Sequence, residues 1–341
     1  MLYPLSIGVD RIYFAYYNYH FSLKKCLKLI RQVELIQGLE KSLMNHAINS
    51  PFRYPGGKFY ARNLILEYIP HHTHYIEPFV GGGSIFFAKE KINKNWLNDI
   101  DQELINCYLI IRDQPDNLIE KLKGEQAIKE RHTYYKNVYQ PTNDLEKAVR
   151  WFYLNRTSYS GIMKRESCYW GYGDKYSMKP ENWPRNILRT SQKLQNVRIT
   201  NFDFEQVFNQ VEDGAFLFID PPYFNARQDN FYTHHFTQDD HLRLSEVLKF
   251  HSKRLKFLLT YDNVSEIREL YQWASQIDEK EWNYTVGRTD DQKKNKDNDS
   301  LNSMKKKGSR YKGKEIFITN YGLTELNLTY SYQQLELPIY G

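Results

Sequence analysis

The stretch that most constrains this chain is Phe216-Leu217-Phe218-Ile219-Asp220-Pro221-Pro222-Tyr223. Residues 215–219 are an unbroken apolar run, the pattern of a strand buried on both faces. Asp220 and two prolines follow. Neither proline can donate to a sheet ladder, so the strand has to stop. An acid, two rigid residues and an aromatic are thereby held at the carboxyl edge of a sheet, where open α/β sheets bind their ligands. A plain strand closed by a polyproline turn, with Asp220 as a cap, accommodates the same residues.

The chemistry suited to this quartet is methylation of an exocyclic amine on a planar base. Such an amine is conjugated with its ring and is a poor nucleophile. A carboxylate at Asp220 and the Pro221 carbonyl can accept both amine hydrogens and draw the lone pair out of conjugation. Tyr223 offers a stacking face for a base taken out of its helix. Cytosine-C5 chemistry would need a reactive cysteine. Cys26, Cys107 and Cys168 all lie away from the motif and none follows a proline.

Upstream, Pro51-Phe52-Arg53-Tyr54-Pro55-Gly56-Gly57-Lys58 reads as a rigid glycine turn before a helix running to about residue 69. Gly56 and Gly57 permit close backbone approach to a ligand. Lys58 is on the wrong end of a helix for the dipole, which points to an anionic group nearby. Next, Tyr75-Ile76-Glu77-Pro78-Phe79-Val80-Gly81-Gly82-Gly83-Ser84 reads as strand, glycine turn and helix start. It lacks the GxGxxG dinucleotide pattern, which argues against a nicotinamide cofactor. Asn95-Trp96-Leu97-Asn98-Asp99 is a second strand ending in an acid placed to hold ribose hydroxyls. Further strands are predicted at 197–200, 215–219 and 255–261, with a closing antiparallel hairpin from 281–286 and 315–320.

Between the second and third strands lie about 95 mostly helical residues, more than a crossover needs. Residues 103–196 are therefore read as an inserted domain, with a helix at 145–155. The basic, aromatic stretch 161–177, with Lys164, Arg165, Tyr169 and Trp170, is predicted to be a hairpin able to read a DNA groove. An aromatic mini-core fits the same composition. Residues 224–235 are predicted to be a loop that can move over substrate.

The net charge of +6 is uneven: residues 289–314 hold eight lysines and one arginine against four aspartates. A local basic patch suits a polyanionic partner, and a solvated loop explains it equally. Three scattered cysteines, no apolar run of membrane-spanning length and no signal-peptide pattern point to a soluble cytoplasmic protein. The histidines His71, His72, His74, His234 and His235 lack paired ligand spacing, so no metal is expected. Residues 1–49 carry one helical apolar stripe and no readable role.

Taken in order, Arg53-Tyr54-Pro55-Gly56-Gly57-Lys58, Glu77-Pro78-Phe79-Val80-Gly81-Gly82-Gly83-Ser84, Asn98-Asp99-Ile100-Asp101, Tyr153-Leu154-Asn155-Arg156 and Asp220-Pro221-Pro222-Tyr223 resemble the Dam-like (D12 class) DNA adenine-N6 methyltransferases over residues 50–325. The resemblance implies a Rossmann-like methyltransferase fold, with a mostly parallel seven-stranded sheet and a C-terminal antiparallel hairpin. It implies a catalytic domain from 50–102 and 197–330, and a mainly helical target-recognition insert at 103–196. It implies S-adenosylmethionine as methyl donor, held by Tyr54, Gly57, Lys58, Glu77, Phe79, Gly81, Gly83, Asp99 and Asp220. Catalysis falls to Asp220, Pro221, Pro222 and Tyr223. Asn155, Arg156, Lys164, Arg165, Lys305, Lys306 and Lys307 are expected to meet double-stranded DNA. A monomer or weak dimer is expected, with any cognate restriction endonuclease a separate chain. Cytosine-N4 or RNA amino-methylation, and an inactive DNA-binding relative, are the competing readings.

Overall fold

A computed structural model describes residues 47–173, 177–225, 233–284 and 311–322. The chain divides into two compact units, 1–46 and 47–341, and the account below concerns the second. The N-terminal helical stripe, Cys26, Lys175, Lys305, Lys306 and Lys307 lie outside the described residues, as does 226–232 of the predicted substrate loop.

Five strands, β1 (His74–Glu77), β2 (Lys94–Asn98), β3 (Arg198–Thr200), β4 (Phe216–Ile219) and β5 (Lys256–Asp262), pair in parallel. β6 (Gln276–Tyr284) and β7 (Tyr311–Thr319) complete a sheet of order β3-β2-β1-β4-β5-β7-β6, with β7 antiparallel to both neighbours. The direction of winding reverses between β1 and β4, so their carboxyl ends flank a crevice.

Period two assigns the two faces. Tyr75, Phe216, Phe218, Leu258 and Phe317 enter one core cluster, and Ile76, Leu217, Ile219, Leu259, Ile316 and Ile318 enter the other. Both sets are apolar because helices cover both faces. The second face is covered by α8 (Phe204–Gln210), α9 (Gln238–His251) and α10 (Ser265–Leu270), which bring Phe204, Leu244 and Ile267. The first is covered by α1 (Arg62–Leu66) and α2 (Ser84–Ala88), and by the helices of the long connection: α3 (Gln102–Asp113), α4 (Pro115–Leu122), α5 (Lys129–Asn137), α6 (Asp144–Thr157) and α7 (Trp183–Leu194).

That connection is helical, but it is not a separate compact unit. Tyr108 of α3 and Trp151 of α6 pack their rings on Phe52 at 4.7 and 4.6 Å, within the cluster that contains Tyr75 and Phe216. α3 and α6, on the far side of the expected boundary at 102/103, thus cover the sheet as well as form part of the connection.

The largest boundary differences from the sequence reading are in the first helix and the closing hairpin, where β7 starts at Tyr311 rather than Glu315. The helix expected to reach residue 69 is only α1, because residues 58–61 form turns and the chain tightens at Tyr68 and Ile69 into i→i−3 bonds ahead of Pro70. β6 starts at Gln276 rather than Glu281. Its polar sequence hides it, as suits an edge strand that must not recruit another chain.

Candidate active site

The glycine turn after β1 is shaped by what presses on it. Gly81 and Gly83 have φ of 45° and 64°, a region costly for other residues. A Cβ on Gly81 would lie 2.9 Å from the Tyr54 ring, and one on Gly83 would lie 2.9 Å from the Phe87 ring. Tyr54 thus lies flat against the turn. Ser50 Oγ donates to the Gly82 carbonyl and fastens the same loop from its other end.

Eight residues along, the loop reaches the second edge of the crevice. Lys58 Nζ lies 2.7 Å from Asp220 Oδ1 and 3.9 Å from Glu315 Oε2, and it sits 4.8 Å from the centre of the Tyr223 ring. Lys58 is 3% exposed. Burial alone would depress its pKa, but Asp220 and Glu315 outweigh burial and the net shift is upward. The lysine therefore stays charged. The anionic group that its position called for is the carboxylate of Asp220.

Asp220 Oδ1 also accepts from Thr260 Oγ1 of β5 at 2.7 Å. Both strong donors converge on one oxygen of the carboxylate. Pro221 is buried and Tyr223 half-buried, with its ring 6.0 Å from that of Tyr261. Asp262 caps the turn that follows: its two oxygens accept from the N–H groups of Phe224 and Asn225 at 3.1 and 3.0 Å.

The acids on the other two strand ends are deeper. Glu77 Oε1 accepts from Tyr75 Oη at 2.6 Å and Phe86 N–H at 2.7 Å. Burial raises its pKa to about 8, those two donors oppose the rise, and the charge of Asp220 adds to it. Asp99 Oδ2 accepts from Gly81 N–H at 2.8 Å and Oδ1 from Asp101 N–H at 3.0 Å, and burial raises it to about 7. Phe79 is half-buried against the rings of Phe204 and Phe236. Gly57 closes its turn on the Tyr54 carbonyl at 3.1 Å.

The structure thus brings Tyr54, Gly57, Lys58, Glu77, Gly81, Gly83, Asp99, Asp220 and Tyr223 to neighbouring strand ends. The residues expected to meet DNA divide. Lys164 is half-buried and Arg165 exposed at the tip of a hairpin closed by the Ser158–Trp170 bridge. Asn155 and Arg156 are buried, 0% and 5% exposed, and bond to the backbone of Arg53 and Pro51. Their expected placement on the DNA surface is corrected: they are internal because α6 packs its last turn against the 50–58 loop. Three groups escaped the sequence reading: Thr260, Glu315 and Asp262. A hydroxyl in the otherwise apolar run Leu258-Leu259-Thr260, one residue beyond the Ile219–Leu259 pair, was the available signal for the first. Cys107 and Cys168 are buried, and burial pushes both thiols up, away from the reactive thiolate.

A sheet of this order, with its polar groups gathered at the switch between β1 and β4, defines an open α/β protein of the kind that binds ligands at that crevice. Comparison sharpens that class. Residues 54–286 match the model of the D12 class N6 adenine-specific DNA methyltransferases, and the chain belongs to that family. Among its relatives are the type II methyltransferase M1.LlaDCHI of Lactococcus lactis subsp. cremoris, 29% identical over 82% of this chain and 99% of the relative. The type II methyltransferase M.MjaIII of Methanocaldococcus jannaschii is 30% identical over 65% of this chain and 88% of the relative. A DNA adenine methylase of Haemophilus influenzae is 25% identical over 70% and 89%.

Proposed function

We propose that this enzyme carries a methyl group from S-adenosylmethionine to N6 of an adenine everted from duplex DNA, with Asp220 and Tyr223 handling the base. The observation that carries this reading is the wiring of Asp220. Lys58 and Thr260 both hold Oδ1, which leaves the rest of the carboxylate for an amine. An aromatic face, Tyr223, lies beside it. An amine donating to Asp220 has its lone pair localised on nitrogen, and the carboxylate favours the positive charge that grows there. Holding the base in that pose supplies the rest of the rate by orientation.

The residues present fit the methyl donor. The Gly81–Gly83 turn is packed so closely by Tyr54 and Phe87 that no side chain fits at 81 or 83, which holds its backbone at the crevice edge beside Tyr54. Glu77 and Asp99 are buried acids held by neutral hydrogen-bond donors, with Lys89 a weaker counter-charge for Glu77, an environment suited to a ligand rich in hydroxyl and amine donors. Asp99 is the acceptor for ribose hydroxyls, and Tyr54 covers the glycine turn. Lys58 is the cation for a carboxylate end. Bound there, S-adenosylmethionine supplies an electrophilic methyl group on sulfonium sulfur. Lys164 and Arg165 at the hairpin tip are the contacts assigned to DNA, Arg165 being exposed and Lys164 half-buried beside it. The relatives named type II methyltransferases favour a restriction–modification setting, with the nuclease a separate chain.

Replacing Asp220 with alanine tests this. Methyl incorporation into duplex DNA should fall by about 10³-fold or more, the scale of losing a preorganised electrostatic group. Binding of a short duplex should stay within about twofold. Nucleoside mass spectrometry of the wild-type product should show N6-methyladenine. Wild-type turnover by D220A, or N4-methylcytosine as the product, would overturn the assignment.

A further inference from the structure

Asn155 closes the last turn of α6, and its side-chain amide is used in both directions on one distant residue. Arg53 N–H donates to Asn155 Oδ1 at 3.1 Å, and Asn155 Nδ2 donates to the Arg53 carbonyl at 2.7 Å. A neighbouring strand would make the same pair of bonds. The same nitrogen also reaches the Gly161 carbonyl, at 3.4 Å. Around this clamp, Arg53 Nη1 donates to the Ser158 carbonyl at 3.2 Å, and Arg156 Nη1 donates to the Pro51 carbonyl at 3.0 Å. Gly161 is at φ 72°, and a Cβ there would stand 2.2 Å from the Arg53 oxygen. Residue 53 is therefore fixed by the end of α6 and by the first turn of the hairpin, across a sequence separation of 102.

The next residue in the chain is Tyr54, which lies on the Gly81 turn. Four residues on is Lys58, which holds Asp220. A short loop whose start is clamped and whose two working side chains touch both halves of the crevice transmits any error at its anchor. Misplacement of about 1 Å at a reacting centre is enough to cost catalysis.

We infer that Asn155 is a positioning residue for methyl transfer: by setting the Arg53 backbone it places Tyr54 and Lys58, and it makes no contact with DNA. The inference rests on the proposed reading of Tyr54 and Lys58 as part of the methyl-donor site. Its consequence runs against the surface role that polarity and motif position suggest for this residue.

Asn155→Asp is the discriminating change in the full chain. It keeps the size of the side chain and the acceptor for Arg53 N–H. It replaces the donor that faces the Arg53 and Gly161 carbonyls with an oxygen. Binding of S-adenosylmethionine, measured by calorimetry, should weaken about tenfold, with kcat/KM for methyl transfer falling at least as far. Affinity for a short duplex, by fluorescence anisotropy, should stay within about twofold. Asn155→Ser, whose hydroxyl can donate to one carbonyl, should recover part of the loss and serves where N155D does not fold. A fall in DNA affinity alone, an equal fall in both affinities, no change in either, or failure of both variants to fold would overturn the inference. Wild-type protein that does not bind S-adenosylmethionine would instead strike the reading on which it rests.

Discussion

The carboxyl ends of β1, β2 and β4 lie side by side in one sheet, yet their carboxylates sit under opposite electrostatic regimes. At the end of β4, Asp220 keeps 20% of its side chain exposed and faces a full positive charge on Lys58. At the ends of β1 and β2, Glu77 and Asp99 are 2% and 8% exposed and receive hydrogen bonds from neutral donors. Burial then dominates and raises both, to about 8 and about 7. Three acids at one sheet edge are thus prepared for different work. One is compensated by a lysine of the protein, and on the proposed reading the other two are compensated by the methyl donor.

The strongest way to break this contrast is to remove the lysine. Lys58→Met leaves buried Glu315 and Asp220 without the cation between them. Breaking a buried pair in this way costs about 3–5 kcal/mol. Urea denaturation should show a loss of that size, and unchanged stability would mean that the pair is not what balances the β4 end.

Thr260→Val sharpens the same side of the comparison. The substitution keeps the shape and deletes one hydrogen bond to a charged acceptor, worth about 1.5–3 kcal/mol. The expected result is a drop in kcat of about tenfold or more, with KM for the methyl donor within about twofold. A rise in KM alone would show that Thr260 serves the donor and not Asp220.

The smallest effect is on the other side, at Asp99. Its ionised form is the better acceptor for a hydroxyl, and it is protonated below about 7. Affinity for S-adenosylmethionine should therefore tighten as pH rises from 6 to 8, by at most about tenfold per pH unit, and Asp99→Asn should flatten the profile. The linkage to stability has the opposite sense. Between its ordinary value of 3.8 and about 7, native Asp99 holds a proton that the unfolded chain has released. Its contribution to stability thus falls as pH rises through that window. A donor affinity independent of pH in the wild type would remove the distinction between the two regimes.

Much of this was legible in the sequence, and the exceptions share a cause. The strand before Asp220, the glycine turn at 81–83 and the acid at 99 could be read because local pattern dictates them. That Lys58 meets an anion agrees with the expectation, although the helix start that suggested it lies four residues further on, at Arg62. Thr260 and Glu315 were not legible, because their roles depend on which strands pair and in which register. No local pattern records that Leu259 stands opposite Ile219. Asn155 and Arg156 were read from their place in a family motif, and a motif does not record whether a side chain faces solvent or spends its hydrogen bonds on a distant backbone. β6 was only half seen, since an edge strand hides its alternation under charged residues.

The Lys58 cluster draws on three places in the chain separated by 162 and 95 residues, and its last contributor, Glu315, lies on the strand that slots between β5 and β6. No shorter stretch emerging from the ribosome carries a finished centre. Seating β7, which carries Glu315, is thus the step that completes the charge balance around Lys58.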